Sequence, residues 1–347
     1  MKHETPTSTP ADRENIMDLK TTYLGLELKH PIIASSSPQS KSIDGVKRLA
    51  EAGAAAITLF SLFEEQIRHE QETLEFLIGR STYSSSESLS YFPELTEYNA
   101  KPGEYLELIY QASQAVDVPI IGSLNGVTKY GWVDYAKDMV DAGASAIELN
   151  IFFLPVDLHV TADQVEEQYI DIVRTVRDAV KVPIAVKLSP YFSSFGHMAQ
   201  KLVKAGANGL VLFNRFYQPD FNLESRTVES TLELSRPSEI RLPLLWISML
   251  HGNVKCSLAA TSGVESSTEA LKYVMAGADA VMTTSSLLRH GESHLGTIVK
   301  GFEEWMQTHQ FESVSQMKGS MSHQNCAEPE ALVRANYLKM LQSYKSG

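Results

Sequence analysis

Lys187 stands near the end of an apolar run, Val182-Pro-Ile-Ala-Val-Lys-Leu-Ser-Pro190. Apolar residues that follow one another without alternation mark a strand buried on both faces. An ammonium in such a strand is costly to bury unless an anionic or electron-rich group meets it. Three asparagines end comparable runs: Asn125 in Val118-Pro-Ile-Ile-Gly-Ser-Leu-Asn125, Asn150 in Glu148-Leu-Asn150, and Asn214 in Leu212-Phe-Asn214. An amide donates and accepts at once, which suits the edge of a heterocycle. A single Asn at a strand end is an ordinary turn former. Three of them with a lysine, all at strand ends, point to a ligand site.

A second group is small and polar. Thr261-Ser-Gly263 leaves one apolar run and precedes a helix from Thr268, and Thr283-Thr-Ser-Ser286 leaves another. Backbone amides in such loops turn toward an anion, and phosphate is often held between the last two strand exits of an α/β barrel. Without a ligand they would simply be tight turns. Ser35-Ser-Ser37, after Pro31-Ile-Ile-Ala34, is a third small-residue exit. His159, His197, His251 and His290 have no metal-ligand spacing, so no metal site is expected. Neither a Gly-x-Gly-x-x-Gly run nor a P-loop occurs.

These residues need a frame that brings strand ends together. An Ala-Gly-Ala signature recurs around Gly53, Gly143, Gly206 and Gly277, at spacings of 90, 63 and 71 residues. Each copy follows an amphipathic stretch and opens an apolar one, so the glycine ends a helix and a strand begins after a very short loop. The spacings leave room for about two β/α units between neighbouring copies. Eight strands are predicted, near 31–35, 56–60, 118–123, 146–150, 183–188, 209–213, 257–261 and 279–283. Eight parallel strands alternating with helices make a (β/α)8 TIM barrel, with a doubly wound sheet as the alternative. Two long segments, 62–100 and 214–247, interrupt the rhythm after strand ends and are expected as insertions on the carboxyl-end face. The domain reading is a disordered leader over 1–17, a barrel over 18–305 and a helical extension over 306–347.

Composition sets outer limits. The chain has 347 residues and a net charge of -12, with no basic stripe, which argues against nucleic acid as a partner. Two cysteines, Cys256 and Cys326, exclude a disulfide scaffold and fit a cytoplasmic protein. No run of 18 apolar residues offers a membrane span, and the polar N-terminus lacks the apolar core of a signal peptide.

The set Pro31-Ile-Ile-Ala-Ser-Ser-Ser37, Glu148-Leu-Asn150, Ile184-Ala-Val-Lys-Leu-Ser-Pro190, Leu212-Phe-Asn214 and Ala260-Thr-Ser-Gly-Val264 resembles the dihydroorotate dehydrogenases, nearest their soluble single-chain class. The resemblance covers roughly residues 18–305 in chain order. It implies a flavin barrel holding FMN, and a homodimer. Ser35 and Ser36 would line the flavin, and Asn125 and Asn150 would touch its ring or the substrate. Lys187 would lie by the ring's electron-accepting edge, where a cation stabilises the reduced form. Thr261, Ser262, Gly263, Thr284 and Ser285 would hold the phosphate, and Asn214 the substrate.

Three departures accompany it. The family's catalytic Cys or Ser after the fourth strand falls at Phe153, in Asn150-Ile-Phe-Phe-Leu-Pro155, and phenylalanine takes no proton. The family's lysine near the end of the second strand falls at Leu59 or Phe60. Its substrate loop is replaced by Ser88-Leu-Ser-Tyr-Phe-Pro93. Tyr130, His159 and Tyr191 are candidate substitutes for the base. The implied function is FMN-dependent oxidation of dihydroorotate or a related small anionic substrate, with fumarate or a partner as acceptor. A second enzyme reading is a flavin barrel that reduces a different unsaturated substrate, with Arg215, Arg236 or Arg241 meeting its carboxylate. The alternative is a differently specific or non-catalytic barrel that holds FMN or phosphate.

Overall fold

A computed structural model describes residues 17–66, 102–126, 132–215, 219–229, 232–332 and 342. Twelve strands are found there: β1 Thr21–Tyr23, β2 Leu26–Leu28, β3 Ile32–Ala34, β4 Ile57–Phe63, β5 Ile120–Gly126, β6 Ala146–Ile151, β7 Ile184–Leu188, β8 Gly209–Leu212, β9 Asp220–Asn222, β10 Thr227–Glu229, β11 Ser257–Ala260 and β12 Ala280–Thr283. Eight of them, β3 to β8 with β11 and β12, close into a barrel in which every neighbouring pair is parallel. This is the (β/α)8 barrel, and its strands are the eight read from the sequence.

The recurrent Ala-Gly-Ala signature explains how the chain turns from helix to strand. Gly53, Gly143, Gly206 and Gly277 all take positive φ, between 103° and 122°. Each glycine N–H bonds back three residues, to Ala50, Val140, Val203 and Val274. The alanine after each bonds back five, to Leu49, Met139, Leu202 and Tyr273. That pair of bonds satisfies the last carbonyls of a helix and needs a left-handed residue, which glycine adopts without a Cβ penalty.

The barrel interior is narrow. Ile33, Ile121, Ala146, Ala185, Val211, Ala259, Ala280 and Met282 fill its lower part. The β1–β2 hairpin packs Tyr23, Leu24 and Leu28 against the same cluster and closes the amino-terminal end. A second, larger cluster lies between the barrel and its helices and includes Ile57, Leu59, Phe60, Leu149, Leu188 and Leu212. The two clusters show the period-two alternation of barrel strands: one face inward, the other toward the helices.

The 214–247 segment contains the antiparallel β9–β10 hairpin and an irregular stretch over 232–236, and ends in a helix already running at Arg241–Leu250. The expected insertion over 214–247 therefore ends earlier, where this helix begins. Of the 62–100 segment, only 62–66 fall within the described residues. After the helix His294–Thr308, the chain makes one turn at Val314–Met317 and a short 3-10 turn at Pro329–Leu332. Val314 N–H bonds Asp18 O and Met321 N–H bonds Met275 O, fastening this segment to the barrel. Among the described residues, no helix is long and apolar enough to cross a membrane.

Candidate functional site

Phe63, Asn125, Asn150 and Lys187 are direct partners across β4, β5, β6 and β7, so they form one row at the carboxyl end of four neighbouring strands. Asn214 follows β8 and donates from Nδ2 to Asn150 Oδ1 at 2.6 Å. Lys187 is 8% exposed. Its Nζ lies 3.6 Å from Oε1 of Glu148, which is wholly buried two residues below Asn150 on the same face of β6. Neither carboxylate oxygen of Glu148 has a hydrogen-bond partner among the described residues. The lysine's charge is thus held from below by an otherwise unmatched carboxylate, which answers the burial problem posed by the sequence.

A register shift in β4 between Thr58 and Ser61 decides what the second strand presents. It turns both Leu59 and Phe60 toward the helices, and Phe60 packs edge-on to Tyr105 with centroids 4.9 Å apart. Such a bulge re-aims side chains beside a site. Ser61 then faces inward and links Ser36 and Ser123, with Oγ–Oγ distances of 3.2 and 2.9 Å. The position resembling the family's lysine is therefore apolar and lies outside the barrel, and a serine chain occupies the inner face at that level.

A cavity of about 570 Å³ opens over this row, within the range of small-molecule and cofactor sites. Its wall includes Ser35, Ser36, Asn125, Asn150, Lys187, Asn214, Arg215, Thr261, Ser262, Gly263, Thr284 and Ser285. These are the residues that the resemblance assigns to the flavin and the substrate, together with Arg215. The site residues that sequence reasoning missed include Ser61, Phe63, Phe152, Glu233, Ser235 and, beneath the wall, Glu148. Period-two spacing from Asn150 could have found Glu148. Ser61 was hidden by the bulge. Nothing in the pattern singles out Ser235.

Ser235 organises the small-residue side. Its hydroxyl donates to Ser285 Oγ at 2.9 Å and accepts from Gly263 N–H at 3.1 Å. Arg289 donates to the Ser235 carbonyl at 2.7 Å. Ser262 and Gly263 both take positive φ, 77° and 70°, which turns this loop sharply over the cavity. Tyr273 steadies the same loop from behind through a 2.9 Å bond to Ser262 O, and burial raises its hydroxyl's pKa first, with the charges of Glu269 and Glu239 adding to it.

The candidate proton acceptors lie elsewhere. Phe152 lines the cavity, whereas Phe153 is half-buried and packs against the outer core. His159 is exposed and Tyr191 is 64% exposed; neither is part of the cavity wall. Tyr130 lies outside the described residues, as does Ser88–Pro93. Arg215 lines the cavity, but its Nε is 3.2 Å from Glu239 Oε2 and its Nη1 donates to Glu233 O. Arg236 and Arg241 are exposed and are not part of the wall. Among the described residues no three His, Cys, Asp or Glu side chains gather as metal ligands.

The sequence family described as dihydroorotate dehydrogenase matches residues 95–306, more than half of the chain. The protein belongs to the dihydroorotate dehydrogenase family. The NAD(+)-type dihydroorotate dehydrogenase B catalytic subunit of Methanocaldococcus jannaschii is 28% identical over 283 residues, 79% of this chain and 88% of that protein. The same subunit from Thermoplasma volcanium is 27% identical over 308 residues, 87% and 98% of the two chains. The fumarate-type dihydroorotate dehydrogenase A of Limosilactobacillus reuteri is 25% identical over 265 residues, 74% and 83%. Membership and these relatives support an oxidoreductase acting on CH–CH bonds of a small molecule.

Proposed function

We propose that the barrel holds FMN over the Asn125–Asn150–Lys187 row and carries out two-electron oxidation–reduction on a small cyclic substrate, as a cytoplasmic homodimer. The observation that carries this reading is the buried Lys187–Glu148 pair, set beside three asparagine amides at one cavity. The residues present fit the group. Small side chains at Ser35–Ser37, Thr261–Gly263 and Thr283–Ser285 leave room for it, and their hydroxyls and backbone suit a phosphate. The amides and the ammonium suit the polar edge of an isoalloxazine. FMN, when bound, supplies the acceptor for a hydride.

The chain's own residues do the rest. Lys187, fixed by Glu148, places one positive charge where a reduced ring gains electron density. Asn150 and Asn214, bonded to each other, hold a substrate amide in one orientation. Phe63 and Phe152 exclude water from one side of the cavity. Ser36, Ser61 and Ser123 form a hydroxyl chain that leads from the cavity wall into the barrel. Dihydroorotate is the substrate named for the relatives, and those relatives are named for two acceptors, NAD(+) and fumarate.

A second reading is a barrel that holds FMN without turnover. Phe152 on the cavity wall, where the resemblance leads one to expect a base nearby, favours it. The test is an anaerobic titration of the FMN-loaded chain with dihydroorotate and with dihydrouracil. Bleaching of the flavin absorbance by either supports the catalytic reading. A flavin that stays oxidised with both contradicts it and leaves the second.

A further inference from the structure

Three charged residues line the described wall of the cavity, Lys187, Arg215 and Glu233, and Glu233 is exposed and meets Arg215 through its backbone carbonyl. Both cations are matched from within the protein. Glu148 lies 3.6 Å from Lys187, and Glu239 holds Arg215 at 3.2 Å. Each cation on the described wall thus already has a carboxylate of the protein beside it. The described surface between them is neutral: Phe63, Phe152 and the three asparagines.

The arginine is held in place by the chain around it. Its Nη1 donates to the carbonyl of Glu233, in the stretch 232–235 that forms one wall of the cavity. That stretch is anchored at Ser235 by Ser285, Gly263 and Arg289. Glu239 is anchored too, because its Oε1 accepts from Arg236 N–H at 3.0 Å. A substrate carboxylate arriving at Arg215 would replace one carboxylate with another. It would gain little net charge pairing, and it would sit beside Glu239.

We propose that the site takes a planar, uncharged ring with an amide or imide edge, and that Glu239 sets this choice by occupying Arg215. The inference rests on the reading of this cavity as the substrate site and goes beyond it by naming the substrate class. The Asn150–Asn214 bond uses one donor and one acceptor of the pair. The remaining donors and acceptors, with those of Asn125, match the alternating N–H and C=O groups of a cyclic ureide. Phe63 and Phe152 supply apolar surface to a flat ring.

A matched pair of probes differing only in the carboxylate tests this: uracil and orotate, each titrated calorimetrically into the full chain, with and without saturating FMN. Uracil is expected to bind at least about tenfold more tightly than orotate, and Glu239→Gln is expected to raise orotate affinity about tenfold with uracil nearly unchanged. Glutamine keeps an oxygen to accept from Arg236 N–H, so the local turn survives. Adding Arg215→Gln to Glu239→Gln should cancel the gain. Orotate binding as tightly as uracil, binding of neither ring, or an orotate affinity indifferent to Glu239→Gln would each overturn the proposal. Failure to take up FMN would instead refute the flavin reading, since the titration without FMN still compares the two rings.

Discussion

Replacing Lys187 by methionine should be among the most damaging conservative changes in this barrel. Methionine fills much of the same length but leaves Glu148 with no counter-charge. The Nζ–Oε1 distance is 3.6 Å. At an effective dielectric constant of about 20, that separation corresponds to about 5 kcal/mol of attraction. Removing one partner of a buried pair typically costs about 3–5 kcal/mol, because the other is left buried and unmatched. Glu148 is fully buried and has no hydrogen-bond donor to fall back on among the described residues. The expected loss for Lys187→Met is therefore about 3–5 kcal/mol. Glu148→Gln should cost less, about 1–2 kcal/mol, because Lys187 reaches the cavity and can be hydrated there. The double change Lys187→Met with Glu148→Leu should recover to within about 1 kcal/mol of the parent, since neither charge is then left behind. Urea unfolding at pH 7, at one fixed FMN concentration, measures all three. A loss below about 1 kcal/mol for Lys187→Met, or a double variant no more stable than the single, would refute the view that Glu148 is held by Lys187 alone.

Other outcomes follow from single residues. His30 is buried between Gly53 O and Ile32 N–H, and burial first, then the charge of Lys29, lowers its pKa from 6.5 to about 4. The unfolded chain therefore takes a proton on His30 below pH 6.5 that the folded chain refuses until about pH 4. Stability falls over that window as pH drops, by about 2 kcal/mol between pH 7.5 and 5, and urea midpoints for the parent and His30→Gln should diverge accordingly. Burial raises the Cys256 thiol from 9.0 to about 12. At pH 8 the native protein should therefore alkylate slowly there, with mass spectrometry locating any adduct at Cys326 first. At Gly263, with φ +70°, an added Cβ would lie 2.7 Å from Arg236 O and 2.8 Å from Ile240 Cγ2. Gly263→Ala should cost about 1–3 kcal/mol and weaken FMN binding at least about tenfold, read by fluorescence titration.

The frame was legible because its signals are local. Four helix ends carry the same Ala-Gly-Ala chemistry, and each becomes the same pair of backbone bonds in the structure. Apolar runs opened by Val-Pro-Ile lead directly into β5 and β7. The polar residues at strand ends were legible for the same reason: Asn125, Asn150, Lys187 and Asn214 stand at or near the ends of largely apolar runs. What escaped depends on distant neighbours. The β4 bulge changes which face Ser61 occupies, and only the pairing with β5 reveals it. Ser235 lies in a long irregular segment and acquires its place through Ser285, fifty residues onward. The pairing of Arg215 with Glu239 likewise needs the turn at Pro237–Ile240 to bring them together. A free arginine and a paired one look alike in sequence.

The most direct measurement is titration of FMN into the purified full chain, following flavin fluorescence and absorbance through gel filtration. Saturation at one FMN per chain, with a flavin that stays with the protein, is the expected result. A chain that leaves FMN free in solution at every concentration would contradict the assignment of the cavity over Lys187 as a flavin site.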